Sequence, residues 1–279
     1  MNRKKKIFVI AGFGCLLVAF LFGIFIIGSE EKNESIRETM RDAVLHDVNK
    51  ISLFGIKDVN PSVISAMTVT AIILFLAAII RIFAIPRFKY IPNKFQLLLE
   101  QLVGFFDDLA KSNSPHRNGF LSAYLFSAGV YIFIGTTFEL FGIQGITTEG
   151  HHIALPAPLS DINAAIAMGF LSYTIILSGG IAGNGLKGVG LTLKDFSLPI
   201  SMSFRLFGAL LSGLLVTELV YYYIQLSFVL PVVVGVMFTL LHALIQTYVL
   251  TMLTALFYGE VSEPSEKKSK KRNHIPSKN

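Results

Sequence analysis

The stretch LPISMSFRLFGALLSG at residues 198–213 places one cation, Arg205, in an apolar run that continues almost unbroken to residue 258. A charged side chain at the centre of a bilayer costs about 2.5–3.5 kcal/mol even on translocon-based insertion scales. The next acid, Glu218, follows about 19 Å further along a helix that rises 1.5 Å per residue. Arg205 is therefore either an anchor that reaches the membrane interface or a working part of an ion path.

The composition around this stretch is that of a membrane protein. Of 279 residues, 53% are hydrophobic and only 15% are charged, whereas soluble domains carry about 25% charged residues. Runs long enough to cross about 30 Å of hydrocarbon recur along the chain. They predict an all-α polytopic protein with five or six membrane segments, at 7–28, 64–84, 118–141, 162–183, 199–227 and 230–258.

The last two segments are longer than a perpendicular crossing needs, so we expect them to tilt and form an antiparallel hairpin over 199–258. Ser197 is a candidate N-cap, and Pro199 suits the first turn of the helix that follows. Small or polar side chains share the helix face of Arg205, namely Gly208, Ala209 and Ser212. Such residues let another helix approach closely, which an anchor in water does not need.

An amphipathic helix is predicted at 92–112, between the second and third segments. Its apolar positions, Leu97, Leu98, Leu102, Phe105, Phe106 and Leu109, recur at three- and four-residue spacing opposite Glu100, Asp107, Asp108 and Lys111. This pattern is typical of a helix that lies in the membrane interface. A soluble helical loop is the alternative.

The distribution of Lys and Arg sets the orientation. With the N-terminus inside and six spans, eighteen basic residues lie inside and five lie outside, as the positive-inside rule requires. Both termini are then cytoplasmic if segment 7–28 is retained. The chain divides into an N-terminal segment (1–28), a polar external segment (29–63), a membrane domain (64–260) and a basic tail (261–279). Segment 7–28 is either a retained span or a signal peptide.

Besides Arg205, three polar side chains of the hairpin are candidates for function: Glu218, His242 and Gln246. His242 and Gln246 share a helix face and are either a packed polar patch or part of a path. Glu218 pairs with His242 or lines a water-filled cavity, since acids inside membranes are costly to keep. Outside the hairpin, Asp161 reads as a helix cap, and Glu139 ends the third segment.

Several kinds of site are not expected. His151 and His152 have no second ligand pair, so no metal site is predicted, and no motif for a cofactor or for covalent catalysis occurs. The charge of +6 falls in loops and not in a basic stripe among aromatics, which argues against nucleic acid. The single cysteine, Cys15, leaves no disulfide framework.

The hairpin resembles subunit a of the F-type ATP synthase. The likeness rests on LPISMSFRLFGALLSG (198–213) and ALIQTYVLTMLTALFY (243–258). It extends to DVNPSVIS (58–65), PNKFQLLLEQLVGFFDDL (92–109) and APLSDINAAIAM (157–168), in the same order along the chain.

The resemblance implies that Arg205 faces the carboxylate of the c-ring and that Gln246 lies opposite the arginine. It also implies an F1Fo complex with a c-ring and a peripheral b stalk, embedded in lipid, with no catalytic site on this chain. This sequence departs from the family at Ala209, where many relatives have Asn. The usual offset of acid and histidine is also missing: an antiparallel count puts His242 level with Ala209, so a direct pair with Glu218 is not expected.

Two other classes of protein fit the sequence less well. A secondary cation–proton antiporter needs paired intramembrane acids and broken helices at related positions, and neither is visible in the sequence. A structural membrane anchor has no use for Arg205, Glu218, His242 and Gln246 within one apolar hairpin.

Overall fold

The structure is a computed structural model that describes residues 51–53, 56–146, 152–222 and 230–264, together with Arg37. Segment 7–28 and most of the basic tail lie outside these residues. Seven α-helices follow one another in the described part: α1 (Pro61–Ile79), α2 (Lys94–Asn113), α3 (Gly119–Thr137), α4 (Ile162–Asn184), α5 (Leu186–Lys194), α6 (Ser197–Tyr222) and α7 (Leu230–Ser262).

Two small antiparallel sheets accompany the helices and were not predicted. One pairs β1 (Ile51–Leu53) with β2 (Ile56–Val59), directly before α1. The other pairs β3 (Gln144–Ile146) with β4 (His152–Ala154), in the connection between α3 and α4. Both lie in connections that the sequence assigns to the outside.

The all-α polytopic prediction is confirmed. Within the described residues four helices are long and apolar enough to cross a membrane: Pro61–Arg87, Gly119–Phe141, Ile162–Asn184 and Gly235–Ser262. A fifth crossing results if α5 and residues Ser197–Gly213 of α6, which meet at 49°, form one bent span.

The ends of α1 follow from its sequence. Asn60 caps the helix by accepting a hydrogen bond from the backbone N–H of Ser62 at 2.9 Å, and Pro61 occupies the first turn. At the other end the helix widens into a π-turn at Ile80–Ala84 and closes as a 3-10 turn at Ile85–Arg87. Pro86 explains this ending. It has no backbone N–H to donate, and its ring clashes with the carbonyl group one turn earlier in a regular α-helix.

Helix α2 forms where the amphipathic pattern predicted it. Phe106 and Ala110 are buried, whereas Leu97, Leu98, Leu102 and Phe105 are exposed. Phe106 packs where Gly129 of α3 has no side chain, since a Cβ at Gly129 would lie 2.5 Å from the Phe106 ring. The helix therefore attaches to the bundle by one edge and leaves its remaining apolar side chains outside. Its location in the membrane interface stays a prediction.

The helices of the bundle approach one another at residues without side chains. A Cβ at Gly169 of α4 would lie 2.8 Å from the carbonyl oxygen of Pro199 in α6, and one at Gly179 would lie 2.5 Å from the ring of Tyr258 in α7. Close approach of this kind is how helices associate in lipid, where burial of apolar surface gives no advantage. The core between α2, α3, α4, α6 and α7 includes Leu121, Leu125, Ile132, Ile176, Met202, Leu206 and Leu250.

Candidate functional site

Helix α6 places Arg205 on a face that the rest of the described chain leaves open. Its neighbours Met202 and Leu206 are buried in the core, whereas Arg205 and Phe204 are exposed. Ser203, on the buried side, packs against Gly169 of α4. One face of α6 thus packs against the bundle, and the opposite face, which carries Arg205, is exposed.

The small residues predicted to accompany Arg205 lie on the same open face. A Cβ at Gly208 would meet nothing within 4 Å, and Ser212 is exposed. The Ser212 hydroxyl donates to the carbonyl oxygen of Gly208 at 2.6 Å, so its hydrogen bond is made within the helix. Together with the partly exposed Ala209, these residues form a smooth strip, the open strip of α6 (Gly208, Ala209 and Ser212).

Gln246 of α7 lies beside Arg205. Its Nε2 donates a hydrogen bond to the backbone carbonyl oxygen of Arg205 at 3.3 Å, and the side chain is only 4% exposed. The two residues line a narrow crevice whose walls are otherwise apolar, formed by Met202, Leu206, Val249, Leu250 and Leu253. The glutamine therefore fixes the position of α7 along the axis of α6 at the level of Arg205.

The charge of Arg205 has no counter-ion in the described residues. The salt bridge resolved between described side chains joins Lys111 to Asp107 on α2, and no carboxylate of the described part lies within 4.0 Å of the Arg205 guanidinium. An arginine cannot lose its charge to escape this situation, because a guanidinium group stays protonated in proteins. Within the described residues the positive charge of Arg205 is therefore not compensated.

His242 lies further from Arg205 than an antiparallel count predicted. Its Nδ1 would lie 3.4 Å from a Cβ at Gly213, and its ring centroid is 5.9 Å from that of Phe238. Gly213 follows Arg205 by eight residues, about 12 Å along the helix, which is one turn beyond the expected level of Ala209. The count failed because it assumed one residue of α7 for each residue of α6 from a starting pair joined by a long side chain.

The other candidate residues are placed less completely. Glu218 lies on α6, about 7.5 Å along the axis beyond Gly213, but its side chain is outside the described part. Asp161 caps α4 as expected, since it accepts from the N–H groups of Asn163 and Ala164 at 2.8 and 3.2 Å. His152 is exposed on β4, whereas His151 is outside the described residues, so the pair is not tested.

The C-terminal end of α7 is held by contacts that the sequence did not predict. Asn184 donates through Nδ2 to the carbonyl oxygens of Val261 and Glu263 at 3.0 and 2.7 Å. A Cβ at Gly259 would lie 2.0 Å from the carbonyl oxygen of Asn113, which shows how closely α7 meets the end of α2. These contacts fix the position along the bundle from which α7 presents Gln246. An Asn at the end of a predicted span was the only signal for them.

The chain is similar to known proteins over most of its length. The sequence model of the family described as ATP synthase A chain matches residues 63–259. ATP synthase subunit a of Cereibacter sphaeroides is 25% identical over 199 residues, which cover 67% of this chain and 76% of that protein. The corresponding subunit of Histophilus somni is 28% identical over 196 residues, covering 60% and 73%. With the family match extending over most of the membrane domain and containing both Arg205 and Gln246, this chain belongs to the ATP synthase A chain family.

Proposed function

We propose that this chain is the ion-translocating stator of a rotary ATP synthase, with Arg205 facing a carboxylate carried by the c-ring. The observation that carries this proposal is the exposed Arg205 without a counter-ion among the described residues, next to a buried Gln246 and a strip of small side chains. A rotor needs such a surface on its stator, because the rotor helices must approach α6 closely and move past it without steric clashes with large side chains.

The chemistry follows from the charge of the arginine. A protonated or sodium-loaded carboxylate that arrives from the lipid meets a fixed positive charge, which lowers the pKa of the carboxyl group and releases its ion. The resulting carboxylate passes Arg205 as a transient ion pair. Because the guanidinium keeps its proton, it cannot relay one, and it blocks a direct leak between the two sides. The ion must then travel with the ring.

Two aqueous half-channels would connect this site to the two sides of the membrane. We assign Glu218 to the outer path, since it lies on the same helix about 19 Å from Arg205, toward the side where α6 ends. His242, beside Gly213, falls between the two. Replacing Glu218 with Gln should slow ATP-driven pumping while leaving the amount of assembled complex unchanged. Unchanged pumping would remove Glu218 from the path.

The proposed partners are the c-ring, the b subunits of the peripheral stalk and, through them, the catalytic head of the F1Fo complex. On this view the chain itself binds no nucleotide and catalyses no reaction. We place it in the plasma membrane of a bacterium with both termini in the cytoplasm, because that orientation puts eighteen of the loop and tail cations inside.

The coupling ion is a proton or a sodium ion, and one measurement separates them. Selectivity depends on the groups around the ring carboxylate, which another chain supplies. If sodium is carried, ATP hydrolysis by the purified complex should rise when sodium is added at constant ionic strength. If protons are carried, hydrolysis should be indifferent to sodium and ATP should acidify the vesicle lumen.

A secondary cation–proton antiporter is the rival function, and dependence on ATP separates the two. Inverted vesicles that contain the complex should accumulate ions when ATP is supplied and stop when ATP hydrolysis is inhibited. Vesicles from cells that lack this chain should show no ATP-driven uptake. An exchange flux that follows an imposed cation gradient and ignores ATP would contradict the stator proposal.

A further inference from the structure

An open cleft of about 600 Å³ runs along α1, beside the start of α4, on the side of the bundle where both helices begin. Its mouth is polar, because the Nδ2 of Asn60 donates to the carboxylate of Asp161 at 2.7 Å and Asn163 lies nearby. Its wall on α1 reaches from Asn60 to Leu74, about 21 Å along the helix. A cleft of this length accepts a helix and not only a small molecule.

Helix α1 is the least covered of the spans that the structure describes. Of its most apolar 18 residues only 11% are buried, against 39% and 44% for the spans that contain α3 and α4. Lipid could cover large apolar side chains equally well. The lining of the cleft, however, includes small residues, Ala66 and Ala71 of α1 and Ala164 of α4, together with Thr70 and beside the larger Val63, Met67 and Leu74. The Thr70 hydroxyl donates to the carbonyl oxygen of Ala66 at 2.7 Å and so leaves a flat surface. Flat surfaces of this composition let a second backbone approach closely in a membrane.

The chain carries a matching apolar segment outside the described residues. Residues 7–28 are 22 consecutive apolar or small residues, which is the length of one crossing. Every fourth position on one helical face is small: Ala11, Cys15, Ala19 and Gly23. The polar stretch 29–50 can extend about 70 Å at 3.3 Å per residue. The chain then returns through β1 and β2 to Asn60 at the mouth of the cleft.

We propose that segment 7–28 is retained as a transmembrane helix and occupies this cleft, antiparallel to α1. Its small face then packs on the small residues that line the cleft, and the bundle gains a span that covers α1. If Gly28 and Pro61 are level at the outer boundary, thirteen residues inward on each helix bring Cys15 beside Leu74. The proposal concerns how the chain packs on itself and does not depend on the rotor assignment.

Cys15, the single cysteine of this chain, makes the proposal directly testable. We would prepare the variants Thr70→Cys, Leu74→Cys and Ala78→Cys. Thr70 and Leu74 line the cleft, and Ala78 continues the same face of α1 by one turn, so these three cleft positions bracket the expected level. Ile72→Cys is the matched control, because it lies about 3 Å from Leu74 along the axis and about 200° around the helix. Each variant is oxidised with copper phenanthroline in membranes that contain the assembled complex, and disulfide-linked peptides are identified by mass spectrometry.

A disulfide needs Cα atoms about 4.4–6.8 Å apart, so it forms only between neighbouring helices in the right register. We expect Cys15 to link to at least one of the three cleft positions, and Ile72→Cys to stay reduced. Addition of Cys15→Ser should remove the link. Each variant should accumulate in the membrane to the level of the parent chain, which shows that it has folded and inserted.

Three results would overturn the proposal. The first is the absence of a link from all three cleft positions although their thiols react with a small maleimide. The second is a link of equal yield from Ile72→Cys, or a link that joins two copies of the chain. The third is a mature chain whose N-terminus follows residue 28, which would show that the segment is removed.

Discussion

The Nε2 of Gln246 donates a hydrogen bond to the carbonyl oxygen of Arg205 across 3.3 Å, and this bond joins α6 and α7 at the level of the arginine. The glutamine is almost fully buried, whereas the arginine is exposed on the outer face of the same helix pair. One residue therefore fixes the hairpin from inside while the other presents a charge to the outside. The account of ion coupling depends on this division.

Gln246→Glu should abolish ATP-driven pumping. A carboxylate at this position replaces the N–H donor and offers the Arg205 guanidinium a permanent partner, which competes with a carboxylate on the rotor. Gln246→Leu keeps the approximate size and removes only the hydrogen bond, at a cost of about 0.5–1.5 kcal/mol in stability. We therefore expect the leucine variant to keep more activity than the glutamate variant, measured as ATP-driven acidification of inverted vesicles. Equal activity in the two variants would contradict a direct role for the charge.

Gly208→Leu tests whether a partner helix contacts the open strip of α6. Within this chain a side chain at Gly208 meets nothing within 4 Å, so the variant should unfold at the same temperature as the parent when purified alone. If rotor helices pass over the open strip of α6, the leucine should block them and pumping should be lost. Gly208→Ala, which adds one methyl group, should be affected less. Full pumping by the leucine variant would show that no helix approaches this strip.

Gly259→Ala should disrupt the C-terminal end of α7. The new Cβ would lie 2.0 Å from the carbonyl oxygen of Asn113, and because this contact is between backbones, a whole helix must shift. We expect a lower unfolding temperature and less assembled complex. Gly104→Ala on α2 is the control, because a Cβ there meets nothing within 4 Å and alanine favours a helix by about 1 kcal/mol over glycine. If both variants behave alike, the close contact between Gly259 and Asn113 does not hold the C-terminal end of α7.

The ion pair between Lys111 and Asp107, which lies outside the membrane spans, should make the stability of the fold depend on pH. The hydrogen bond from Lys111 lowers the pKa of Asp107 below its ordinary value of 3.8 and raises the pKa of Lys111 above 10.5. A lowered carboxylate pKa stabilises the fold above pH 3.8, and this contribution is lost as the pH falls through the folded-state pKa. Lys111→Gln should therefore lower the unfolding temperature slightly at pH 7, and the difference from the parent should shrink below pH 3.8. High salt should also reduce it, because both side chains are exposed to screening. A difference that persists unchanged in acid or in salt would show that the effect of the substitution is not electrostatic.

The helices were predictable from the sequence because each apolar run is a local property. The bounds of the third and fourth segments agree with α3 and α4 to within a few residues, and the amphipathic pattern at 92–112 is realised as α2. The two short β-hairpins were not predictable, since strands of three or four residues give too short an alternation to recognise. Their positions depend on pairing and not on composition.

The candidate site was predictable only in part. Arg205 stands out because an unpaired cation in an apolar run is costly, and the family likeness supplied Gln246 as its neighbour. The spacing of the sequence alone cannot bring together residues 41 positions apart. The antiparallel count placed His242 level with Ala209, whereas its ring lies beside Gly213, and an Asn at the end of a predicted span did not reveal that Asn184 binds the carbonyl groups at the end of α7. Contacts of this kind depend on the axial position of one helix relative to its neighbour.

The most direct test of the central claim is ATP-driven ion pumping by inverted vesicles that carry Arg205→Ala or Arg205→Lys, with the amount of assembled complex measured in parallel. Both variants should assemble, because the Arg205 side chain is exposed and its backbone carbonyl remains available to Gln246. The alanine variant should lose pumping completely and should leak ions passively, since in the proposed mechanism no fixed charge then separates the two half-channels. The lysine variant keeps a charge but loses the planar, always-protonated group, so it should also be strongly impaired. Normal ATP-driven pumping by Arg205→Ala would contradict the account.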